Sequence, residues 1–498
     1  MVLILGCLVL ALESNFMILL ILLGISLLFA IILAFAGDWK YAPEINIAGS
    51  AATFGAGIAL ALRVYLYGPM VTGGKFFFVD AFNVYLAVLT SFVSMTTAIF
   101  SRRYMRVERA HGRVGRWKMR FYHAMYQLFI FAMLLALLTN NFGVLWISME
   151  LATLSTVLLV SLYRTPTAIE AAWKYFILCG VGIAQALFGT VLLYFAAERV
   201  LGVGGEALLW TNLSLVKAQL EPTVLRLAFV FLMVGYGTKV GLVPLHNWLP
   251  DAHSEGPTPI SAVLSGLLLN VALYALVRCK VLVDGSTGTH LAGNMLIGFG
   301  LLSVLVAAFS LLRQKDIKRM FSYSSIENMG VATFAFGIGG PIATFGALLH
   351  MLVHSLTKSS IFFTVGHASQ MHGAQEMERI RGLIRGNPVV GWAFILGVIA
   401  LMGMPPFGLF ASEFLILTAT IREAPLLTPL LLLGLGVAFA AILRKVQPMV
   451  AGLVPPWQEK LKAAHAPVLL HMALVLLLGL YMPRFLSEWF HMAVGLLK

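Results

Sequence analysis

Charge is what this sequence has least of. Only 11% of its 498 residues are charged and 60% are hydrophobic, against about 25% and roughly 45–50% in an ordinary soluble domain. So few charges cannot wet the surface of a soluble protein this long, and secreted, fibrous and disordered classes fall with the soluble one. Cysteine is nearly missing too. Cys7, Cys179 and Cys279 stand far apart in or beside apolar runs with no CxxC or Cys/His spacing, so the chain is expected to hold no zinc, haem or iron–sulfur centre and no cofactor of its own. They read as small apolar thiols. The sequence also lacks a GxxxxGK[ST] phosphate loop and a GxGxxG after a strand, so neither ATP nor a nicotinamide is expected to drive it. Its energy source must be an ion gradient or a partner.

Long apolar runs are what the sequence does have. Runs such as Phe16 to Phe35, Val79 to Phe100 and Ile342 to Val365 reach the roughly 18–20 residues that cross a bilayer core. They are apolar all round, which excludes the alternating strands of a membrane β-barrel, about 10 residues long. The fold class is therefore an all-α polytopic membrane protein. Fourteen spans are expected: Phe16 to Phe35, Ile47 to Leu66, Val79 to Phe100, Phe121 to Leu138, Phe142 to Leu162, Ala171 to Ala197, Val224 to Leu245, Ile260 to Val277, Leu296 to Leu312, Tyr323 to Ile338, Ile342 to Val365, Val389 to Ala411, Leu426 to Leu443 and Val468 to Tyr481. The stretch Met1 to Leu12 is too short to cross and lacks a basic start and a cleavage site. It is an interfacial lead-in or part of the first span.

Lys plus Arg number 34 against 21 Asp plus Glu, a net charge of +13. The excess collects in loops after odd-numbered spans: Arg102, Arg103, Arg106, Arg109, Arg113, Arg116, Lys118 and Arg120, then Arg313, Lys315, Lys318 and Arg319, then Arg379, Arg381 and Arg385, then Arg444, Lys445, Lys460 and Lys462. That is the positive-inside pattern, not a nucleic-acid groove. It predicts cytoplasmic loops there, both termini outside, and no nucleic-acid partner.

Two spans are interrupted. The seventh runs through Lys239 into Pro244 and Pro250, and the twelfth meets Gly403, Pro405, Pro406 and Gly408 before Glu413. Such a break at membrane depth survives only where protein or cavity water satisfies the freed backbone. Two broken helices five spans apart point to repeated halves; unrelated proline kinks are the alternative. The expected division is 1–120 for the first three spans and a basic loop, 121–282 and 283–447 for the two repeats, and 448–498 for the last span.

Ionisable residues inside spans carry the functional argument, because each costs on the order of 3 kcal/mol at the bilayer centre. Glu150 lies mid-way along the fifth span and Lys239 deep in the seventh. Their opposite signs make them a candidate proton-carrying pair; a static ion pair fixing helix packing is the alternative. His350, His354 and Lys358 recur every fourth residue, with Ser355 and Ser359 beside them, so they share one helical face as a proton-relay ladder would require. A two-histidine metal pair is the competing reading, with no clear third ligand in view. Glu413 is a candidate exit or hand-over station. Glu327 and Lys174 join the candidate proton-translocation residues, though their positions near span ends also suit snorkelling or loop anchoring. Asp80 and Arg63 read as interfacial anchors. The connector HNWLPDAHSEGPTPIS holds His246, Asp251, His253 and Glu255 but no nucleophile, and reads as a turn and helix cap that gates water to Lys239 rather than as a catalytic site.

The segments VGYGTKVGLVPLHNWLPDAHSEGPTPISAVLSG, RQKDIKRMFSYSSIENMG and LLHMLVHSLTKSSIFF resemble the antiporter-like membrane subunits shared by respiratory complex I, Mrp sodium/proton antiporters and membrane-bound hydrogenases, from about the third span to the thirteenth. Within that superfamily AAWKYFILC, YSSIENMG and MPPFGLFASEFLILTA are most similar to the component F group of hydrogenase-4-type complexes, the second formate hydrogenlyase. The resemblance implies fourteen helices with two inverted five-helix repeats. It implies Glu150 and Lys239 as the proton-moving pair, His350, His354 and Lys358 as the central polar axis, and Glu413 in the terminal position. Complex I members usually carry a Lys in the eighth span where this chain has Asn270, and a His in the tenth where it has Glu327 and Asn328. The expected role is that of a non-catalytic, proton-translocating subunit of a membrane oxidoreductase in a bacterial or archaeal cytoplasmic membrane. Its expected partners are protons, other membrane subunits and a peripheral redox arm bearing iron–sulfur and nickel–iron centres. A sodium/proton antiporter subunit, a membrane subunit of an inorganic-carbon uptake complex with a soluble zinc partner, and a purely structural anchor are the alternatives.

Overall fold

The computed structural model describes residues 2–288, 290–456, 458–459, 461 and 463–497, with side chains from Phe16 onward apart from Thr287. Lys460, Lys462 and the side chain of Cys7 lie outside the described residues. The chain is almost wholly helical. α1 (Val2–Ala36), α2 (Ala42–Tyr67), α3 (Ala81–Ala110), α4 (Arg116–Leu138), α5 (Phe142–Val160) and α6 (Pro166–Leu201) follow one another with short connections. From Val2 the opening stretch is helical and continuous with the rest of α1. A hairpin of β1 (Met70–Thr72) and β2 (Phe77–Val79), paired Met70 to Val79 and Thr72 to Phe77, joins α2 to α3.

A short α7 (Trp210–Val216) precedes α8 (Pro222–Val240) and α9 (Trp248–Glu255). Next come α10 (Thr258–Val263), a π-helical turn over Leu264–Leu268, and α11 (Leu269–Thr287). α12 (Leu291–Leu311), α13 (Ile317–Ile338) and α14 (Gly340–His372) lead through the single turn α15 (Leu383–Gly386) to α16 (Pro388–Leu401) and α17 (Gly408–Glu423). α18 (Thr428–Ala451), α19 (His465–Leu480) and α20 (Arg484–Leu496) close the chain, the last two bent by 78° at their junction.

Helix starts follow local chemistry. Asp80, Asn141, Thr165, Asp316 and Asn387 each accept backbone N–H bonds at the start of α3, α5, α6, α13 and α16, satisfying donors that a helix leaves open. The connector after α8 departs from expectation. It folds as α9 rather than as a bare turn, and the residue before α10, Pro257, supplies no side-chain cap.

Among the described residues ten helices are long and apolar enough to cross a membrane, or eleven if the bent pair α19–α20 counts as one. The other four expected spans fall on α13, α14, the broken pair α16–α17, and α19. The shortfall has two physical causes: α16, α17 and α19, of 14, 16 and 16 residues, are each too short to cross alone, and α13 and α14 are too polar. α13 and α14 are buried along nearly their whole length and carry Ser322, Ser324, Ser325, Glu327, Asn328, His350, His354 and Lys358 inward, so they are polar where lipid-facing helices such as α6 and α18 are apolar. With them at the centre lies the α10–α11 segment, buried except at its far end around Asp284. α12 and α13 press together through glycines: a Cβ on Gly300 would fall 2.6 Å from the Phe334 nitrogen, and one on Gly330 2.8 Å from the Gly300 oxygen. Small residues allow such backbone contact where no hydrophobic force drives helices together.

The basic loops meet at one end of the bundle. Arg102 and Arg106 pair with Glu44 at 2.9 and 2.8 Å, Arg120 with Asp38 at 2.7 Å, and Lys445 donates to the Gln314 carbonyl at 2.5 Å. Arg103 reaches the carbonyl of Ala463. Asp80 departs from its expectation as an interfacial anchor. It is wholly buried, caps α3, and pairs with buried Arg278 of α11 at 2.7 Å. Nothing local announces this pair, whose members stand 198 residues apart. Arg63 donates to the Gly68 carbonyl and lies over the Tyr67 ring at the end of α2.

Candidate functional site

The sequence-predicted residues gather in two clusters. The first is built where α8 stops. Gly241, at φ 81°, ends the helix one residue after Val240, and Pro244 prevents its continuation. The freed backbone is satisfied within the protein: Gly241 N–H donates to Thr238 O at 3.1 Å, Leu242 N–H to Gly237 O at 2.9 Å and Val243 N–H to Ser303 Oγ at 2.9 Å. Trp248 at the start of α9 donates to Thr238 O at 2.8 Å and stacks on Tyr175 with ring centres 4.5 Å apart. This holds Lys239 in the last turn of α8, fully buried. Its Nζ donates to Thr153 Oγ1 and lies 5.9 Å from the centre of the Tyr175 ring.

Glu150 sits one turn before Thr153 on α5, partly exposed, with Oε2 enclosed and without a protein hydrogen-bond partner. Lys239 and Glu150 interact electrostatically, yet no direct ion pair joins them: among the described residues no carboxylate oxygen lies within 4.0 Å of Nζ. The hydroxyl that Lys239 meets, Thr153, is not singled out by the sequence. Its only signal is the spacing of three from Glu150, which puts both on one helical face.

The second cluster is carried by α14 with α13 and α17. His350, His354 and Lys358 are fully buried and lie along one face of α14, the two imidazoles parallel within 13° and 6.3 Å apart. His350 Nδ1 meets Ser412 Oγ at 3.0 Å, and Lys358 Nζ donates to the Phe321 carbonyl at 2.9 Å. Glu327, buried on α13, accepts from Asn328 Nδ2 at 2.5 Å and interacts electrostatically with Lys358 and with Glu413. Lys358, like Lys239, has no carboxylate within 4.0 Å among the described residues. Among the described residues no group of three His, Cys, Asp or Glu side chains converges as a metal site would require.

Asn270 bridges the π-helical turn and α14. Its Nδ2 donates to Ser355 Oγ at 2.7 Å and Met351 O at 3.2 Å, and Ser355 Oγ in turn reaches Gly266 O at 2.5 Å. Ser265 and Ser325 share a hydrogen bond of 2.7 Å nearby. A π-turn displaces one backbone register and is common at functional positions. No residue pattern in LSGLLLN announces it.

Glu413 occupies the second turn of α17, past the break at 402–407, and is partly exposed. Gly403 makes room for it: its φ is 63°, and a Cβ there would collide with the Glu413 carboxylate. Gly403→Ala is therefore expected to cost about 1–3 kcal/mol from left-handed backbone alone and to push the carboxylate aside. Thermal denaturation of the variant should show a lowered midpoint, partly restored in Gly403→Ala/Glu413→Ala. Lys174 is not brought into either cluster. It pairs at the bundle rim with Glu170 at 2.6 Å and Asp251 at 3.3 Å, and Asp251 also receives Arg319.

Residues 139–439 match the family described as NADH:quinone oxidoreductase/Mrp antiporter, transmembrane. The chain belongs to that family. It is 49% identical over 425 residues to the hydrogenase-4 component F homolog of Methylacidiphilum infernorum (isolate V4), covering 85% of this chain and 89% of that one. In fold this family member is similar to a chain of the membrane-bound sulfane sulfur reductase, an archaeal respiratory membrane complex, with TM-score 0.85, 23% identity and 96% of both chains covered. It is equally similar to a chain of the Mrp complex from Dietzia sp. DQ12-45-1b, with TM-score 0.84, 18% identity and 97% of both covered. The chain is thus a multi-pass, antiporter-like membrane protein related to hydrogenase-4 and complex I subunits. The family match covers both broken helices and every residue of the two clusters.

Proposed function

We propose that this chain translocates protons as a membrane subunit of a hydrogenase-4 or complex I-type oxidoreductase, through Glu150, Lys239, His350, His354, Lys358, Glu327 and Glu413. One observation carries the reading. Two lysines are fully buried; Lys239 meets the Thr153 hydroxyl and the Cys179 thiol, Lys358 meets the Phe321 carbonyl, and each has a glutamate in electrostatic reach that forms no ion pair with it. A static ion pair would close that gap. A lysine held this way can take up or release a proton without breaking a salt bridge, and the neighbouring glutamate biases which it does.

Polar atoms along the series support passage between the groups. Glu150 Oε2, Asn270 Oδ1, Ser324 Oγ, Asn328 Oδ1, His350 Nε2, both nitrogens of His354, Thr357 Oγ1 and Ser359 Oγ are buried without a protein partner. Native proteins leave few such atoms unsatisfied, and buried water is the usual partner. Hydrated in this way, the ladder becomes a hydrogen-bonded thread. Asn270, which carries no proton, holds Ser355 and the π-turn in register, so the step past it runs through water. Lys174, paired at the rim, serves the surface ion network rather than the thread.

The same reading treats 121–282 and 283–447 as inverted five-helix repeats, each contributing one broken helix, within fourteen spans flanked by 1–120 and 448–498. The basic end is then cytoplasmic and both termini outside. In this reading iron–sulfur and nickel–iron chemistry belongs to a peripheral arm. Glu150→Gln tests the proposal. It keeps the shape of the side chain and removes its proton site, so proton translocation by the assembled complex in sealed vesicles should fall at least about tenfold with assembly unchanged. Translocation should be the same without sodium; dependence on sodium would favour the sodium/proton antiporter.

A further inference from the structure

Cys179 reads from the sequence as a small apolar thiol, but packing gives it a charged neighbour. α6 and α8 press together through small residues: a Cβ on Gly182 would fall 2.8 Å from Thr238 Cβ, and one on Gly235 2.6 Å from the Ala186 nitrogen. That contact sets Cys179, three residues before Gly182, beside Lys239, the residue after Thr238. The thiol is wholly buried and meets Lys239 Nζ. Tyr175, one turn earlier on the same face of α6, has its ring centre 5.9 Å from that same Nζ.

The other groups around Nζ are one-sided. Thr153 Oγ1 commits its proton to the Met149 carbonyl at 2.8 Å, so toward Lys239 it only accepts. The Tyr175 hydroxyl lies 2.8 Å from Thr156 Oγ1, and because Thr156 donates to the Ala152 carbonyl at 2.7 Å, the phenol proton is committed to Thr156. Only the Tyr175 ring is left for Nζ, and a ring face attracts a cation. The Glu150 carboxylate attracts the ammonium as well. A lysine that has released its proton presents a lone pair instead, which calls for a donor. Among the described side chains that meet Nζ, the Cys179 thiol alone can turn from acceptor to donor as the lysine changes state.

We propose that Cys179 is the positioning residue that holds Lys239 in its unprotonated state. Its S–H donates to the lone pair of the free amine; when a proton arrives, the S–H turns away about the Cβ–Sγ bond and sulfur faces the ammonium. The thiol keeps its own proton throughout, no bond to sulfur forms or breaks, and no electrons move. The inference rests on the proton-translocation reading above and names the residue that sets how readily Lys239 lets its proton go.

The test follows proton translocation by the assembled complex in sealed vesicles across a pH series. Glu150 from α5 and Tyr175 and Cys179 from α6 are the titratable groups that face Lys239, and among the described residues no charge on α9, α11 or α12 acts on it. Without the donor the ammonium is favoured, so Cys179→Ala should lower translocation at neutral pH about threefold and move the rise of the profile up by about half a pH unit. Cys179→Ser supplies donor and acceptor from one oxygen and should restore the parental profile. A thiol that only fills space predicts the opposite order, because alanine suits an apolar wall and serine strands a hydroxyl there. A profile unmoved or moved down in Cys179→Ala, or serine no better than alanine, while Lys239→Met abolishes translocation, would overturn the role of the thiol and leave the relay standing. If Lys239→Met itself translocates normally, the relay reading fails instead. Should Cys179→Ala not assemble, Cys179→Val against Cys179→Thr, equal in shape and different in the hydroxyl, decides in the same way.

Discussion

Lys239→Met is expected to lower proton translocation by the assembled complex about 10²-fold or more while leaving the chain as stable as before, or more so. The two halves of that expectation have separate causes. Methionine fills nearly the same volume and strands only the weakly polar Cys179 thiol: Thr153 Oγ1 also donates to Met149 O at 2.8 Å, and Tyr175 keeps its 2.8 Å bond to Thr156. Removing a fully buried charge that has no counter-ion in contact among the described residues relieves a desolvation cost rather than breaking a stabilising pair. A residue kept in the core for stability would show the opposite pattern. Proton flux in sealed vesicles, read beside a thermal unfolding midpoint, separates the two roles in one pair of measurements.

The buried pair of Asp80 and Arg278 should behave in the contrary way. Arg278 is surrounded by Trp210, Tyr274, Phe82 and Phe78, with its guanidinium carbon 4.4 to 5.5 Å from their ring centres. Its Nη2 meets Asp80 Oδ2 at 2.7 Å, while Asp80 Oδ1 caps α3 through Phe82 and Asn83 N–H at 3.0 Å each. Arg278→Met leaves a buried carboxylate uncompensated, and Asp80→Asn leaves a buried guanidinium so; each is expected to cost about 3–5 kcal/mol. Asparagine still caps the helix, so the loss in Asp80→Asn isolates the charge. Because either single change strands a charge and the double does not, Asp80→Asn/Arg278→Met should recover much of the deficit. Matched thermal midpoints in one detergent measure this. Singles that melt like the parent would mean the pair carries no such energy.

What the sequence reveals and what it hides divide along physical lines. Apolar runs report lipid contact, so the lipid-facing helices α1, α6 and α18 are plain in the sequence. Helix breaks are plain as well, since Pro244, Pro405 and Gly403 restrict or free the backbone locally. The i, i+4 spacing of His350, His354 and Lys358 places them on one face before any coordinates exist. Contacts between distant helices leave no such trace. Thr153 beside Lys239, Ser412 against His350 and Arg278 beneath Asp80 are set by packing across the bundle, and a lone Thr, Ser or Arg in an apolar run does not name its partner. α9 was hidden for another reason: two prolines and several polar residues near it read as turn, while burial of Trp248 and Leu249 supplies the tertiary contacts that hold a short helix together. Lys318 looked like one more basic loop residue, and only its 2% exposure sets it apart.

The account depends on the acid–base series being wet. A cryo-EM map of the assembled complex at a resolution that shows ordered water measures this most directly. Water should be seen within about 3 Å of Glu150 Oε2, His354 Nδ1 and Nε2, His350 Nε2 and Ser359 Oγ, forming an unbroken chain from the α5–α8 cluster past Asn270 to Glu413. Apolar side chains packed against those same atoms, with no water between Lys239 and Lys358, would contradict it.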